Sequence, residues 1–154
     1  MNIIDALYIN SLSPEKIANL IIDMILGFEE RNIRKVTYYD IFILIPFYLY
    51  IPAQTKFKIM RFDKNNSFYN NIERHPEIYV NIEERYLETI KFVKNGFIYL
   101  LQNNIIKIND NLELKLLNNK YKVIKKELFK MAQVFSTRTT AELYNFFKVD
   151  IDAV

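Results

Sequence analysis

The chain has 154 residues, a formal net charge of +3 and 51% hydrophobic residues, which is enough apolar sequence to build one folded domain without covalent cross-links. It contains no cysteine and a single histidine. Disulfide frameworks, zinc–thiolate sites, thiol nucleophiles and metal sites with several histidines are therefore excluded. The two glycines, Gly27 and Gly96, are isolated, whereas a phosphate-binding loop needs several neighbouring glycines. Composition argues against an enzyme, a bound cofactor and a metal centre.

The chain shows no pattern typical of a membrane protein. Its N-terminus lacks the basic region and cleavage site of a signal peptide. The most apolar run covers residues 41–51, which is much shorter than the ~20 apolar residues needed to span a bilayer. We therefore expect a cytoplasmic protein without a membrane segment.

Helices are predicted along the first part of the chain, beginning with a short apolar segment. Ser13 and Pro14 are typical of a helix start, and the apolar positions that follow recur every three or four residues. This spacing predicts a helix over 14–32. Residues 38–51 are apolar on nearly every face, which indicates a helix covered on all sides. Pro46 is expected to kink or split it.

The middle of the chain predicts further helices. Ser67 is expected to cap a short helix over 68–73, and Pro76 to begin the next one. From residue 78 to residue 100 the apolar positions again recur every three or four residues. The pattern fits one long helix or two helices broken near Gly96.

One β-hairpin and two more helices are predicted in the last part of the chain. Residues 105–108 and 112–116 alternate apolar and polar side chains around an Asn/Asp turn, which is typical of a hairpin. An apolar stripe from Tyr121 to Phe135 predicts a helix. Thr139 and Glu142 have the spacing of a capping box and begin the last helix.

These elements predict a mainly α fold with a single β-hairpin, in one compact domain over residues 1–154. We divide it into a helical N-terminal half, about 1–75, and a C-terminal half, about 76–154. The order helix, helix, hairpin, helix over about 77–135 resembles a winged helix. Some winged helices bind DNA and others bind proteins, so fold alone does not decide the partner.

A basic segment follows the second half of the predicted long helix. Residues 107–138 carry eight basic and three acidic side chains, and lysines that lie off the apolar stripe can contact phosphates. A solvated helix face is the alternative reading. Sequence-specific base contacts are not expected, because Arg138 is the one arginine of this segment. The predicted DNA-facing residues are Lys115, Lys122, Lys125, Lys126 and Lys130.

Residues with catalytic or metal-binding chemistry each favour a structural role. His75 has no second histidine to complete a metal site. Glu83, Glu84 and Glu88 lie on the polar face of a predicted helix, where solvation explains them. Ser136 lies in no nucleophile elbow, and no partner base is identifiable. We predict no catalytic residue and no small-molecule substrate.

Aromatic residues are unusually frequent, with 12 phenylalanines and 11 tyrosines. Most of them are expected in the core, but so many are difficult to bury in a small domain. Some should form a partner interface, where aromatic side chains are enriched. The predicted interface residues are Tyr48, Tyr50 and Phe68.

The order of segments from about residue 13 to 150 resembles the small middle component of bacterial three-component ABC-ATPase (ABC-3C) systems, of which Lamassu-type anti-phage systems are an example. The stretches that carry the resemblance are the capped helix at 14–28, the Leu-Pro segment at 43–49, Ser67-Phe68 with Arg74-His75-Pro76-Glu77, Ile82 with Arg85, and the closing segment of 131–135, Leu143-Tyr144 and Val149. Two positions depart from the family pattern: residues 50–56 lack its arginine, and Ala132 stands where glycine is expected.

The resemblance implies a non-enzymatic adaptor subunit. Middle components are encoded between an SMC/Rad50-like ATPase and an effector, commonly a nuclease, and the complex senses foreign DNA. The implied partners are these two subunits, with non-specific DNA contact inside the complex. A stand-alone winged-helix DNA-binding regulator is the alternative, and it predicts a stable dimer with tight DNA binding in the absence of partners.

Overall fold

The computed structural model describes residues 10–50, 65–76 and 82–153, together with Ile3 and Leu7. A 3₁₀ turn at Ile151–Ala153 follows the last helix. The mainly α class with one two-stranded hairpin is confirmed. The helices and strands of the described part are α1 (Pro14–Arg31), α2 (Tyr38–Leu49), α3 (Asn65–Arg74), α4 (Ile82–Gln102), β1 (Ile106–Ile108), β2 (Leu114–Leu116), α5 (Lys126–Phe135) and α6 (Thr140–Phe147).

Helix α1 begins and ends where its sequence predicts. The Ser13 hydroxyl oxygen accepts a hydrogen bond from the Lys16 backbone N–H at 3.2 Å, and Pro14 occupies the first turn. At the other end, Asn32 adopts the left-handed conformation with φ 52°, and its N–H donates to the Phe28 carbonyl. Asparagine tolerates this conformation better than most residues, so it ends the helix without glycine.

Helix α2 is covered on every side, as predicted. Thr37 and Asp40 form a reciprocal capping box at its start, and every residue from Asp40 to Leu49 is buried. Pro46 does not split the helix, which continues through Leu49. The predicted extension to residue 51 is wrong, because the helix ends at Leu49 and Tyr50 is extended.

Helix boundaries in the middle of the chain correct two predictions. Ser67 does not cap α3, because this helix begins two residues earlier, at Asn65. Helix α4 is one continuous helix that passes through Gly96 without a break. The predicted start at Pro76 leads into residues 77–81, which lie outside the described residues.

The hairpin is confirmed and carries a third segment that was not predicted. Strands β1 and β2 pair antiparallel, with Ile106 opposite Leu116. On the other edge of β2, the Leu114 N–H donates to the Val36 carbonyl at 2.9 Å, and the Tyr38 N–H donates to the Leu112 carbonyl at 2.8 Å. Residues 36–38, between α1 and α2, therefore lie along the outer edge of the hairpin.

Helix α5 is shorter than predicted. It begins at Lys126, so Tyr121 and Ile124 lie in the segment before it. The Asp23 carboxylate of α1 accepts the backbone N–H groups of Ile124 at 2.9 Å and Lys125 at 2.8 Å. This contact fixes the start of α5 from a distant part of the sequence. The predicted cap of the last helix is confirmed, since the Thr139 hydroxyl accepts the Glu142 N–H.

Helix α1 lies at the centre of the packing, against both α4 and α5. The two glycines lie at these two crossings: a Cβ at Gly27 would lie 2.6 Å from the Phe129 carbonyl oxygen, and a Cβ at Gly96 would lie 2.7 Å from the Ile17 Cβ. Helices α4 and α5 of the C-terminal half both pack on α1 of the N-terminal half. The winged-helix description of residues 76–154 stays a prediction. Among the described residues, no helix is both long and apolar enough to cross a membrane.

Candidate functional site

The structure changes the predicted aromatic interface. Tyr48 is 2% exposed, and its hydroxyl donates to Glu127 Oε1 at 3.3 Å, so its ring belongs to the core and does not face a partner. Tyr50 is partly buried, with the Arg85 guanidinium carbon 3.8 Å from its ring centre. The side chain of Phe68 lies outside the described residues.

The five predicted DNA-facing lysines are all exposed but lie on different elements. Lys115 is on β2, Lys126 and Lys130 are on α5, and Lys122 and Lys125 precede that helix. The prediction that Lys122 and Lys125 are helical is therefore wrong, because α5 begins only at Lys126.

Two of these lysines line separate clefts along α1. Lys115 lines a cleft with Glu29, near the C-terminal end of α1, whereas Lys125 lines a groove with Leu20. Glu29 follows Leu20 by nine positions of the helix, which corresponds to about 14 Å at about 1.5 Å per residue. Lys115 and Lys125 therefore line different clefts, and the DNA-facing role of the five lysines stays a prediction.

The groove beside Lys125 has a volume of about 340 Å³, and Leu12, Leu20 and Ile124 form its apolar lining. Asp23, which is 1% exposed, contributes the carboxyl group of this lining. Burial raises the pKa of the Asp23 carboxyl above its ordinary value, the N–H donors of Ile124 and Lys125 partly offset this rise, and Glu127 adds to it.

Replacing Asp23 with asparagine tests this balance. The raised pKa means that the stability contributed by protonation of Asp23 is fully present below pH 3.8 and is lost as the pH rises through the higher folded-state pKa. We expect wild type to gain stability relative to Asp23→Asn as the pH falls from neutral towards this value. Urea denaturation of both proteins across that range measures the difference. If the stability of wild type relative to Asp23→Asn stays constant or falls at low pH, the raised pKa of Asp23 is contradicted.

A buried ion pair that the sequence reading missed joins three parts of the chain. Asp40 is fully buried and accepts from Arg34 Nη1 at 2.7 Å and Nη2 at 2.9 Å. It also accepts from the Thr37 N–H at 2.8 Å and the Thr140 hydroxyl at 3.0 Å. Arg34 Nε donates to the Arg138 carbonyl. The network fixes the α1–α2 connection to the start of α6, which is a structural role.

The outward face of α4 carries exposed apolar side chains. Leu87 is 56% exposed and Ile98 is 47% exposed, and at 100° per residue they lie on one stripe of the helix with Lys91 and Lys94 between them. Exposed large apolar side chains aligned on one helix are typical of a surface that contacts another protein. Sequence reading could have found them, because both residues fall off the buried stripe of this helix.

Groups with catalytic chemistry are not brought together in the described part of the chain. There, no three histidine, aspartate or glutamate side chains lie close enough to hold a metal ion. Ser136 is buried, and its hydroxyl donates to the Gln133 carbonyl at the end of α5. Glu83 and Glu84 are exposed at the start of α4.

Comparison with known proteins gives one match. Residues 1–150 match the model of a family described as ABC-three component (ABC-3C) system Middle Component 3. No curated protein matches the chain, and no solved structure matches it.

Proposed function

The chain belongs to the Middle Component 3 family of ABC-three component systems, and we propose that it is a non-enzymatic adaptor in a bacterial anti-phage or anti-plasmid defence complex. It would link an SMC/Rad50-like ABC ATPase of the Lamassu type to an effector, such as a nuclease. Family membership over 150 of 154 residues carries the proposal. Such a complex would act in the cytoplasm, where invading DNA is replicated.

We assign the ATPase contact to the outward face of α4. Leu87 and Ile98 supply its apolar anchors, and Lys91 and Lys94 supply polar contacts between them. Tyr50, whose ring lies against the buried Arg85, remains a proposed partner contact outside this face. Phe68 also remains proposed on the strength of its sequence context. An aromatic or aliphatic anchor that is exposed in the free subunit and buried in the complex is typical of such interfaces.

Purification of the tagged full chain from its native host tests the adaptor role. We expect mass spectrometry to identify a coiled-coil ATPase and a second large protein in the eluate. Recovery of no partner, together with nanomolar binding of the isolated chain to a single DNA sequence, would overturn the proposal in favour of a stand-alone winged-helix regulator.

The double variant Leu87→Asp/Ile98→Asp tests the α4 face. Charged residues at central interface positions disrupt association, so recovery of the ATPase should fall by about tenfold or more, as two such anchors are each worth about 1 kcal/mol or more. The matched control is Ile33→Asp/Leu117→Asp, which changes side chains that are 56% and 49% exposed elsewhere. Equal losses in the two variants would exclude α4 as the specific contact.

A further inference from the structure

The outward face of the small sheet carries three lysines side by side. Lys107 and Lys115 are directly opposite each other on the hairpin. The third segment meets the hairpin through the isolated antiparallel bridge between Thr37 and Glu113, and Lys35 lies two residues before Thr37. Lys35 also lines the same cleft as Lys115. These three exposed lysines are hereafter called the lysine row. The Cβ atoms of the directly opposite pair, Lys107 and Lys115, lie about 5 Å apart.

The lysine row has no ion-pair partner in the part of the chain that the structure describes. The ion pair between Arg34 and Asp40 includes no lysine of the row. Glu113, two residues along β2 on the same face, accepts a hydrogen bond from Asn109 Nδ2 at 3.0 Å. Like charges opposite each other on a sheet repel and weaken strand pairing. Stability therefore does not explain the arrangement, which projects unneutralised positive charge.

A polar cleft of about 270 Å³ borders the lysine row. Asn32 and Asn119 line it together with Lys35 and Lys115, and Glu29 is the carboxylate in its lining. Amide and ammonium groups both donate hydrogen bonds to phosphate oxygens. The cleft therefore places uncharged donors next to the three charges.

We propose that the lysine row and this cleft bind the phosphate backbone of nucleic acid without reading its sequence. Lysine supplies a point charge that suits phosphate, whereas lysine is depleted in protein–protein interfaces. The inference rests on the proposed function for its setting, because the complex is proposed to act on invading DNA. It adds Lys35 and Lys107 to Lys115 and requires none of the lysines near α5.

Charge reversal of the whole row is the main test. The full chain is titrated onto a fluorescein-labelled DNA duplex of ~30 bp and mixed sequence, at KCl concentrations between about 50 and 200 mM. The logarithm of the association constant falls with the logarithm of the salt concentration, and each phosphate contact contributes about 0.9 to the steepness of this slope. The variant Lys35→Glu/Lys107→Glu/Lys115→Glu should lower that slope by about 2.7 and weaken binding at least ~10-fold at low salt.

A matched control and a single variant separate position from charge. Lys122→Glu/Lys126→Glu/Lys130→Glu has the same change in net charge and should weaken binding less than about threefold, since these lysines are outside the row. The single change Lys115→Glu places a carboxylate between two lysines, so it should raise the melting temperature or leave it unchanged while it weakens DNA binding.

Several results would overturn the inference. The first is that the wild-type chain does not bind duplex or single-stranded DNA at low salt. The second is that the two triple variants lose the same amount of DNA affinity. The third is that poly-glutamate displaces DNA as effectively as DNA itself does at equal negative charge. The last result would assign the row to an acidic protein. The lysine-row triple variant should still recover the ATPase, and Leu87→Asp/Ile98→Asp should still bind DNA, so failure of this inference and failure of the adaptor role are distinguished.

Discussion

Replacing Asp40 with alanine should lower the free energy of unfolding by about 3–5 kcal/mol, because its fully buried carboxylate is the shared acceptor of several donors, and each buried donor left without an acceptor costs about 1–3 kcal/mol. The Arg34 guanidinium would lose both of its bonds to the carboxylate, and the Thr37 N–H and Thr140 hydroxyl would lose their acceptor. For a domain of this size, about 3–5 kcal/mol corresponds to a fall of roughly 10 °C in melting temperature.

Chemical denaturation of Asp40→Ala measures the loss. The matched control is Asp110→Ala, which removes an exposed carboxylate in the hairpin turn and should change stability by no more than about 0.5 kcal/mol. A loss below about 1 kcal/mol in Asp40→Ala, similar to that of an exposed ion pair, would show that the network does not hold α6 against the α1–α2 connection.

Replacing both glycines with alanine should also destabilise the protein, although alanine is the better helix former. Each substitution gains about 1 kcal/mol in helix propensity. Against this, the new Cβ at Gly27 would meet the Phe129 carbonyl oxygen at 2.6 Å, and that at Gly96 would meet the Ile17 Cβ at 2.7 Å. Neither contact can be relieved by rotation of a flexible side chain, so α1 must move from both neighbours. Overpacking costs about 1–3 kcal/mol per site, so after the gain in propensity we expect a net loss of up to about 4 kcal/mol for the double variant.

Urea denaturation of Gly27→Ala/Gly96→Ala gives the sign directly. The matched control is Asn95→Ala, next to Gly96 but exposed, which should stabilise by up to about 0.7 kcal/mol because it adds propensity without a new contact. If the double variant is stabilised as the control is, the helices are not held at close contact by their glycines.

The predictable parts of the fold depend on signals within a few residues. Ser13 and Pro14 gave the start of α1, and the uninterrupted apolar run before residue 50 gave a covered α2. The hairpin followed from alternation around a turn. Each of these patterns is read from adjacent residues, and the structure confirms each of them.

The parts that were missed depend on contacts between distant residues. The start of α5 is set by Asp23, about a hundred positions earlier in the chain, and no local pattern near Tyr121 reveals this. Residues 36–38 are too few to show alternation, so their pairing with β2 was not anticipated. Tyr48 was assigned to an interface because aromatic excess does not tell which rings the core encloses.

The candidate sites also combine features that are visible in adjacent residues with features that depend on contacts between distant residues. The basic character of the hairpin region was visible in the sequence, but its geometry was not. Lys35 is 80 positions from Lys115 (115 − 35), and only the approach of the third segment to the hairpin brings both to the same cleft. Leu87 and Ile98 were within reach of sequence reasoning, since both fall outside the apolar stripe that α4 buries.

The central position of α1 has a consequence for synthesis on the ribosome. Its packing partners arrive late: Gly96 follows Ile17 by 79 residues (96 − 17), and Ala132 follows Gly27 by 105 residues (132 − 27). At about 5–20 residues per second, the second interval takes roughly 5–20 s. Until that interval ends, the apolar face of α1 lacks its contact with α5, and for most of it the contact with α4 as well. The long-range contacts of α1 therefore form only late in translation. Until then its apolar face is accessible to chaperones and to other unfolded chains.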